Sequence, residues 1–324
     1  MSRRNPCAAQ RFSRRAVDEF ELIERFFARA GSPSGVVTGI GDDGAVLRPD
    51  PGKDLVNVID TMVGGIHFPD DIAPADLGHR IVAVNLSDIA AMGARPRWMT
   101  LALTMTSADE QWLTEFASGL FDVADEYDMS LVGGDTTSGK QLVVSVQITG
   151  DIPAGQSILR SGARVGDTIY VTGTVGDAAA GLALMQAGRP DSHLESRYLR
   201  PNARVQCGQA LVGIATAAID VSDGLYGDLR KLLDASGVGG EIDLEKLPLS
   251  AQLTGAFDKE DQRRFALSGG DDYELCFTSA NDMGDEVAGV PVTAIGKVTD
   301  RNDLLCRDAC GIVEFVDSGY LHFQ

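Results

Sequence analysis

The chain alternates between stretches whose apolar residues recur at helical spacing and short runs that are almost continuously apolar. Ala16–Ala30 places Phe20, Ile23, Phe26 and Phe27 on one helical face, and Gly31 ends it. Ala75–Gly93 is an alanine-rich helix that sets Asn85 and Asp88 three apart, on one side. Asp109–Tyr127 is a long amphipathic helix. Between these, Asp54–Asp60 (DLVNVID), Arg97–Met105 and Ser130–Val132 read as strands, the first ending on an acid. Gln141–Ile148 (QLVVSVQI) is apolar enough to be a strand covered on both faces.

The pattern then breaks at Pro153–Gly166 (PAGQSILRSGARVG), a connection rich in Gly, Ser and Pro, where a domain boundary is expected. Asp167–Gly173 is a strand, and Ala178–Gln186, Arg204–Ala218 and Leu225–Ala235 are helices. Glu241–Leu244, Glu274–Thr278, Val292–Val298 and Ile312–Val316 are strands. The expected organisation is a basic tail (1–15), an N-terminal domain (16–152) and a C-terminal domain (153–324), with mixed α/β sheets in both halves. A faint internal echo pairs Ser87-Asp88 with Ser222-Asp223, and Gly-Gly-Asp at Asp135 with the same triplet at Asp271; Asp-rich glycine turns also recur by chance.

Composition narrows the partners. At 324 residues with 44% hydrophobic and 23% charged content, the chain can bury one large or two ordinary cores. A formal charge of −19 argues against nucleic acid, so a phosphate compound would have to arrive with metal ions. Cys7, Cys207, Cys276, Cys306 and Cys310 are odd in number, and Cys306/Cys310 lack the partners of a zinc set; thiols in a reducing cytoplasm are expected. The basic N-terminus lacks the apolar core of a signal peptide, and no apolar run approaches the ~18 residues that span a bilayer. No membrane partner is expected.

Gly39–Leu47 (GIGDDGAVL) matches a dinucleotide G-x-G-x-x-G on paper through Gly39, Gly41 and Gly44. Asp42 and Asp43 argue against it, because two ionised carboxylates inside that turn would repel a pyrophosphate unless divalent cations stood between; a plain Asx-type surface turn is the alternative. GGDTTSGK fits the P-loop spacing with Gly134, Gly139 and Lys140. However, Gln141 replaces the Ser/Thr, an acid lies in the cradle, and a strand-like run follows where a helix should begin. What remains is a set of acids at element ends beside glycine: Asp42, Asp43, Asp60, Asp88, Asp135, Asp220, Asp223, Asp271 and Asp272. With four histidines in the chain, such a set suits Mg²⁺ better than zinc; solvated acids on turns are the bland alternative.

GIGDDGAVL, DTMVGGIHF, NLSDIAAMGARP, GGDTTSG, LRSGARVGD, DVSDGLYGDL and GGDDYEL, in this order, resemble the thiamine-monophosphate kinase family, from about Phe20 to the final GYLHF. Each motif is weak alone, and seven in order are specific. The resemblance implies the two-domain α/β fold of the aminoimidazole ribonucleotide synthetase superfamily, and a homodimer whose N-terminal strands close a barrel. It also implies ATP held through several Mg²⁺ ions in a cleft at the dimer face. It assigns Asp43, Asp60, Asp88 and Asp135 to the metals from the N-terminal half, and Asp220 and Asp223 from the C-terminal half. Gly134, Asp135, Arg160 and Ser222 would meet ATP; His67, Asp271 and Tyr320 would meet thiamine monophosphate. Two departures stand out. Val58 and Ile59 replace hydroxyl residues before the acid of the DT motif, and Asp271 is one methylene shorter than the usual glutamate.

The reaction implied is transfer of the γ-phosphate of ATP to the phosphate of thiamine monophosphate, giving thiamine diphosphate and ADP. A phosphate monoester has its second pKa near ~6, so the nucleophile is already ionised and no general base is required. That agrees with the lack of a catalytic His or Lys constellation. Two alternatives remain: another ATP-using enzyme of the superfamily, such as a selenophosphate synthetase, for which Cys7 lacks the surroundings, or a non-catalytic metal-binding homologue. His79 and His193 are expected at the surface, Trp98 and Trp112 in the core.

Overall fold

The computed structural model describes residues 19–29, 33–313 and 315; the basic tail, Cys7 and Tyr320 lie outside them. Helix α1 (Glu19–Phe26) precedes a small antiparallel pair, β1 (Val36–Thr38) and β2 (Val46–Leu47). Then come β3 (Lys53–Val63), α2 (Pro74–Ala91), β4 (Arg95–Met105), α3 (Glu110–Glu126), β5 (Ser130–Ser138) and β6 (Val143–Pro153). The strands form one sheet in the order β3-β6-β4-β5, with β4 and β5 parallel and the other pairs antiparallel.

The second half begins with β7 (Thr168–Thr172), α4 (Asp177–Gln186), α5 (Ser192–Leu199), α6 (Val205–Ala210), β8 (Ala217–Asp220) and α7 (Leu225–Ser236). It continues with β9 (Gly239–Asp243), α8 (Ala251–Ala256), α9 (Lys259–Ser268), β10 (Leu275–Ser279), β11 (Glu286–Val287), β12 (Val290–Thr299), β13 (Leu304–Asp308) and β14 (Gly311–Val313). Its sheet runs β14-β13-β9-β12-β7-β10-β8, with β11 on β12 and a single parallel pair, β9 with β13, among the described strands. Both halves are mixed α/β, as the periodicity implies.

Two local expectations fail for identifiable reasons. The run Arg204–Ala218 is not one helix. Gly213 takes a left-handed φ of 76° beyond the end of α6, and Ala217–Asp220 pairs with β10 as a buried strand. Alanine's helix preference is small beside the burial and pairing gained there. The glycine-acid segment GGDTTS is strand throughout, because β5 is held along its length by β4.

Helix α2 is the hub. It is buried nearly all round, since the N-terminal sheet and α3 cover one side while α6, β8 and β10 of the second half cover the other. Close packing against α3 depends on glycine: a Cβ on Gly78 would stand 2.1 Å from the Phe116 carbonyl oxygen, and one on Gly119 1.9 Å from that of Ala75. The apolar core is continuous across the halves, running from Ile81, Leu86 and Ile89 to Tyr170, Leu275 and Phe277. The other face of the N-terminal sheet is open. On β3, Leu55 and Ile59 are 44% and 65% exposed, and the cross-strand polar contacts on that face include Thr61 with Ser145 and Thr149 with Asn57.

Candidate active site at the seam of the two halves

Neither glycine motif builds a nucleotide loop of the common kinds. GIGDDGAVL joins the paired strands β1 and β2, with no helix behind it, and the Asp42 carboxylate accepts the Asp43 N–H at 2.8 Å. GGDTTSGK runs from strand β5 into strand β6, and Gln141 donates to the Gly64 carbonyl at 2.6 Å. The echo between the halves is not structural either: Ser87-Asp88 lies inside α2, whereas Ser222-Asp223 is the turn between β8 and α7.

Strand alternation divides the candidate acids between two faces. Asp60 shares its register row with Val146, Leu101 and Gly134, so its side chain lies on the α2 side of the sheet. Asp135 is paired with exposed Ala102 and belongs to the open side, three strands away, or about 14 Å at the usual strand spacing. With Asp42, Asp43 and Gly134 it lines a cavity of about 720 Å³ bounded by Ile23 of α1 and by Phe27 just beyond it. Gly134 is required there because a Cβ would come within 1.9 Å of the Leu101 carbonyl oxygen.

On the α2 side, Asp88 and Asp220 line a second cavity of about 540 Å³ with Val58, Arg160 and Ile219. Asp60 lies within electrostatic reach of both acids. Burial first, and the charge of Asp220 second, push its carboxyl up to about 6. Asp88 is raised by burial and by Asp60, and Asp220 by burial, then by Asp88 and Asp228. Arg160 opposes the shifts of Asp88 and Asp220, and Ser87 donates to Asp220 at 2.8 Å. Three carboxyls that raise one another are short of cations. Among the described residues, no three His, Cys, Asp or Glu side chains are already gathered tightly enough to hold a metal ion. That arrangement fits Mg²⁺, which keeps waters and binds through one or two carboxylates together with substrate phosphates. Val58 contributes only methyls to the cavity, and Ile59 points to the open face, so neither replaces the missing hydroxyl ligands.

Asp223 is placed otherwise. Its carboxylate is 2.6 Å from Lys231 Nζ, which also reaches Asp228 at 2.9 Å. Asp228 is buried and accepts the backbone N–H groups of Ser222 and Asp223, so it orders the turn that carries both.

The remaining predicted residues form the far end of the seam. His67 follows β3; the Val63 N–H donates to its Nδ1 at 3.1 Å, which puts the proton of the neutral ring on Nε2. Asp271 has a left-handed φ of 73° and accepts from Arg80 at 2.5 Å and from the Tyr273 hydroxyl at 3.0 Å. Tyr273 feels the charges of both Asp271 and Asp60, and so links this end to the carboxylate cluster. The next acids of GGDDYEL turn inward. Asp272 accepts from the Gly176 and Ala178 N–H groups, and Glu274 is clamped by Arg197 and Arg204. His79 is not a free surface residue as expected. It is half-buried, its Nε2 lies 3.1 Å from the Pro201 carbonyl oxygen, and burial lowers its pKa. His193 is exposed, Trp98 is buried, and Trp112 stacks on Phe116.

Residues 41–152 match the family described as AIR synthase related protein, N-terminal domain, and residues 164–306 match its C-terminal domain. Over 322 residues the chain is 48% identical to the thiamine-monophosphate kinase of Escherichia coli (strain K12), covering 95% of this chain and 99% of that protein. The chain belongs to the thiamine-monophosphate kinase family. The Bacillus subtilis (strain 168) thiamine-monophosphate kinase is 36% identical over 328 residues, covering 95% of this chain and all of that one (100%). Among solved structures, the thiamine-monophosphate kinase from Stenotrophomonas maltophilia K279a superposes with a TM-score of 0.80 at 42% identity, covering 86% of this chain and 93% of that one. A structure described as AaThiL complexed with AMPPCP and TMP superposes at 0.76 and 31% identity, covering 88% and 92%.

Sequence reasoning passed over Arg80, Ser87, Tyr198, Tyr273, Asp228 and Lys231 in this family member. One signal was available. Arg80 sits in HRIVAVNL, a charged residue in an otherwise apolar helical stretch, and such a residue is buried only with a partner.

Proposed function

We propose that this protein transfers the γ-phosphate of ATP to thiamine monophosphate, making thiamine diphosphate in an Mg²⁺-dependent, in-line step with no covalent phospho-enzyme. The observation that carries this is the trio of buried Asp220 and half-buried Asp60 and Asp88, short of cations, with Asp88 and Asp220 open to a cavity beside Arg160, at the seam of the two halves. Its setting supports the same reaction, since a relative of the same fold is described with AMPPCP and TMP bound.

Asp60, Asp88 and Asp220 would hold Mg²⁺ with Asp223, while Asp43 and Asp135, on the opposite face of the sheet, would complete the set from a second copy of the chain when both substrates are present. The metal supplies positive charge where two phosphates must approach, at a spacing where each pair of unit charges otherwise costs on the order of 4 kcal/mol. Arg160, which lines the cavity, adds a cation for the ATP phosphates; Gly134 leaves room for the nucleotide beside Asp135, and Ser222 would contact it from the second half. His67 and Asp271 hold the acceptor, with Tyr320 as its aromatic contact. No residue is asked to remove a proton, because the attacking phosphate is ionised at neutral pH. The chain's work is positioning and charge compensation.

We place a homodimer contact on the open face of the N-terminal sheet. Closing it would bury Leu55 and Ile59 and bring the otherwise exposed Asp135 into a shared cleft. No helix among the described residues is long and apolar enough to cross a membrane, and the cytoplasm, where ATP and Mg²⁺ are available, is the proposed location. Purified protein incubated with ATP, MgCl₂ and thiamine monophosphate should yield thiamine diphosphate and ADP in equal amounts by chromatography. Absence of thiamine diphosphate would overturn the assignment, and ADP formed with another acceptor would point to a sister activity of the superfamily.

A further inference from the structure

Arg80 lies outside the residues so far given a role, although its side chain is 1% exposed. From the first half of α2 it crosses into the second half of the chain. One guanidinium nitrogen donates to the Tyr198 carbonyl oxygen, and the other donates to Asp271 Oδ1 at 2.5 Å. The guanidinium carbon lies 4.3 Å from the Tyr198 ring centre and 5.8 Å from that of Tyr273. Tyr273 donates its hydroxyl to the same Oδ1 at 3.0 Å. Both donors therefore take one carboxylate oxygen, and Oδ2 takes no hydrogen bond from the described residues; the Asp271 side chain is 31% exposed. Tyr198, stacked under Arg80, points its hydroxyl at the His67 carbonyl oxygen, 3.5 Å away.

We infer that Arg80 is a positioning residue for the acceptor: it fixes the rotamer of Asp271 so that Oδ2 faces the substrate, and through Tyr198 it sets the His67 loop against it. This rests on the proposed kinase activity with Asp271 at the acceptor. A planar fork suits the task, because it can hold a backbone carbonyl and a carboxylate together while stacked between two tyrosines, and a lysine cannot. The pairing also leaves Asp271 without net excess charge, so it can meet the cationic thiazolium side of the acceptor without repelling the acceptor's phosphate. Seven residues on, Ser87 of the same helix holds Asp220. Helix α2 thus sets the separation between the acceptor end of the cleft and the carboxylate cluster, about 10 Å along its axis.

The test is steady-state kinetics of the full-length protein with each substrate varied, on Asp271→Asn, Tyr273→Phe, Arg80→Lys and the Arg80→Lys/Asp271→Asn double variant. Arg80→Lys keeps the charge and most of the buried volume, and Tyr273→Phe removes only the second donor to Oδ1, so both report on positioning with the fold retained. We expect Asp271→Asn and Arg80→Lys each to raise KM for thiamine monophosphate about tenfold with KM for ATP within about twofold, and the double variant to be little worse than either, since the two residues act as one unit. Tyr273→Phe should shift the same KM by a smaller factor. If Asp271→Asn raises that KM and Arg80→Lys leaves it alone, or if Arg80→Lys moves both KM values and kcat alike, the positioning role is refuted while the kinase reading stands. If the wild type makes thiamine diphosphate and Asp271→Asn changes nothing, the acceptor assignment of Asp271 falls, and the role of Arg80 with it.

Discussion

Replacing Asp60 by asparagine should stabilise the metal-free protein while removing its function. The folded carboxyl is raised from 3.8 to about 6, by burial and by the charge of Asp220. Between these values the native state holds a proton that the unfolded chain has released, so stability falls as pH rises through that window and stays reduced above it. At about 1.4 kcal/mol per pH unit the shift amounts to on the order of 3 kcal/mol above pH 7. For a protein of this size that is roughly 5 °C in Tm or more. An asparagine side chain at this position could not ionise, and the loss of charge also relieves Asp88, whose shift Asp60 helps to cause. The assay is calorimetry of both proteins at pH 4 and pH 8, in EDTA and in MgCl₂ with ATP. In EDTA the variant should melt several degrees above wild type at pH 8 and close to it at pH 4. With MgCl₂ and ATP the wild type should gain more than the variant, because cation binding to the native state is what the three charges favour. A variant that melts at or below wild type in EDTA at pH 8, with no pH dependence in the difference, would refute the proposal that these carboxyls repel one another across an empty metal site.

Asp88→Asn and Asp135→Asn should each abolish thiamine diphosphate formation while sedimentation shows an unchanged assembly; activity retained in either would remove that residue from the metal set. Mixing these two inactive variants, after partial denaturation and refolding together, tests the shared cleft. Partial recovery of turnover is expected if the two acids serve one site from different chains, and none if each chain supplies both. Gly78→Val should cost at least ~3 kcal/mol in urea unfolding, because its side chain would occupy the position of the Phe116 carbonyl and part α2 from α3. An unchanged midpoint would show that the helices pack otherwise.

Much of the candidate site was legible from chain order because its residues sit in glycine-flanked motifs at the ends of elements. GIGDDGAVL, NLSDIAAMGARP and GGDDYEL keep their chemistry in a few neighbouring positions, and a set of acids beside glycine at element ends points to cations. The failure of GGDTTSGK as a P-loop was equally visible, since the residues after it alternate as a strand. What chain order could not reveal was depth. Arg80 acts through Asp271, far away in sequence, and nothing among its immediate neighbours names that partner; Asp228 and Tyr273 have partners only a few residues away, but their burial shows only in the packed structure.

Periodicity alone determined the mixed α/β class, most strands and helices, and the acidic glycine turns, because these depend on local propensity and on which face of an element is apolar. Only the tertiary structure decided that Asp60 and Asp135 lie on opposite faces of one sheet. Their pairing register fixes which way each side chain points, and register is a property of strands brought together from distant parts of the chain. Likewise, only packing made α2 a helix buried nearly all round, and so set Arg80 and Ser87 as contacts that join the two halves around the cleft.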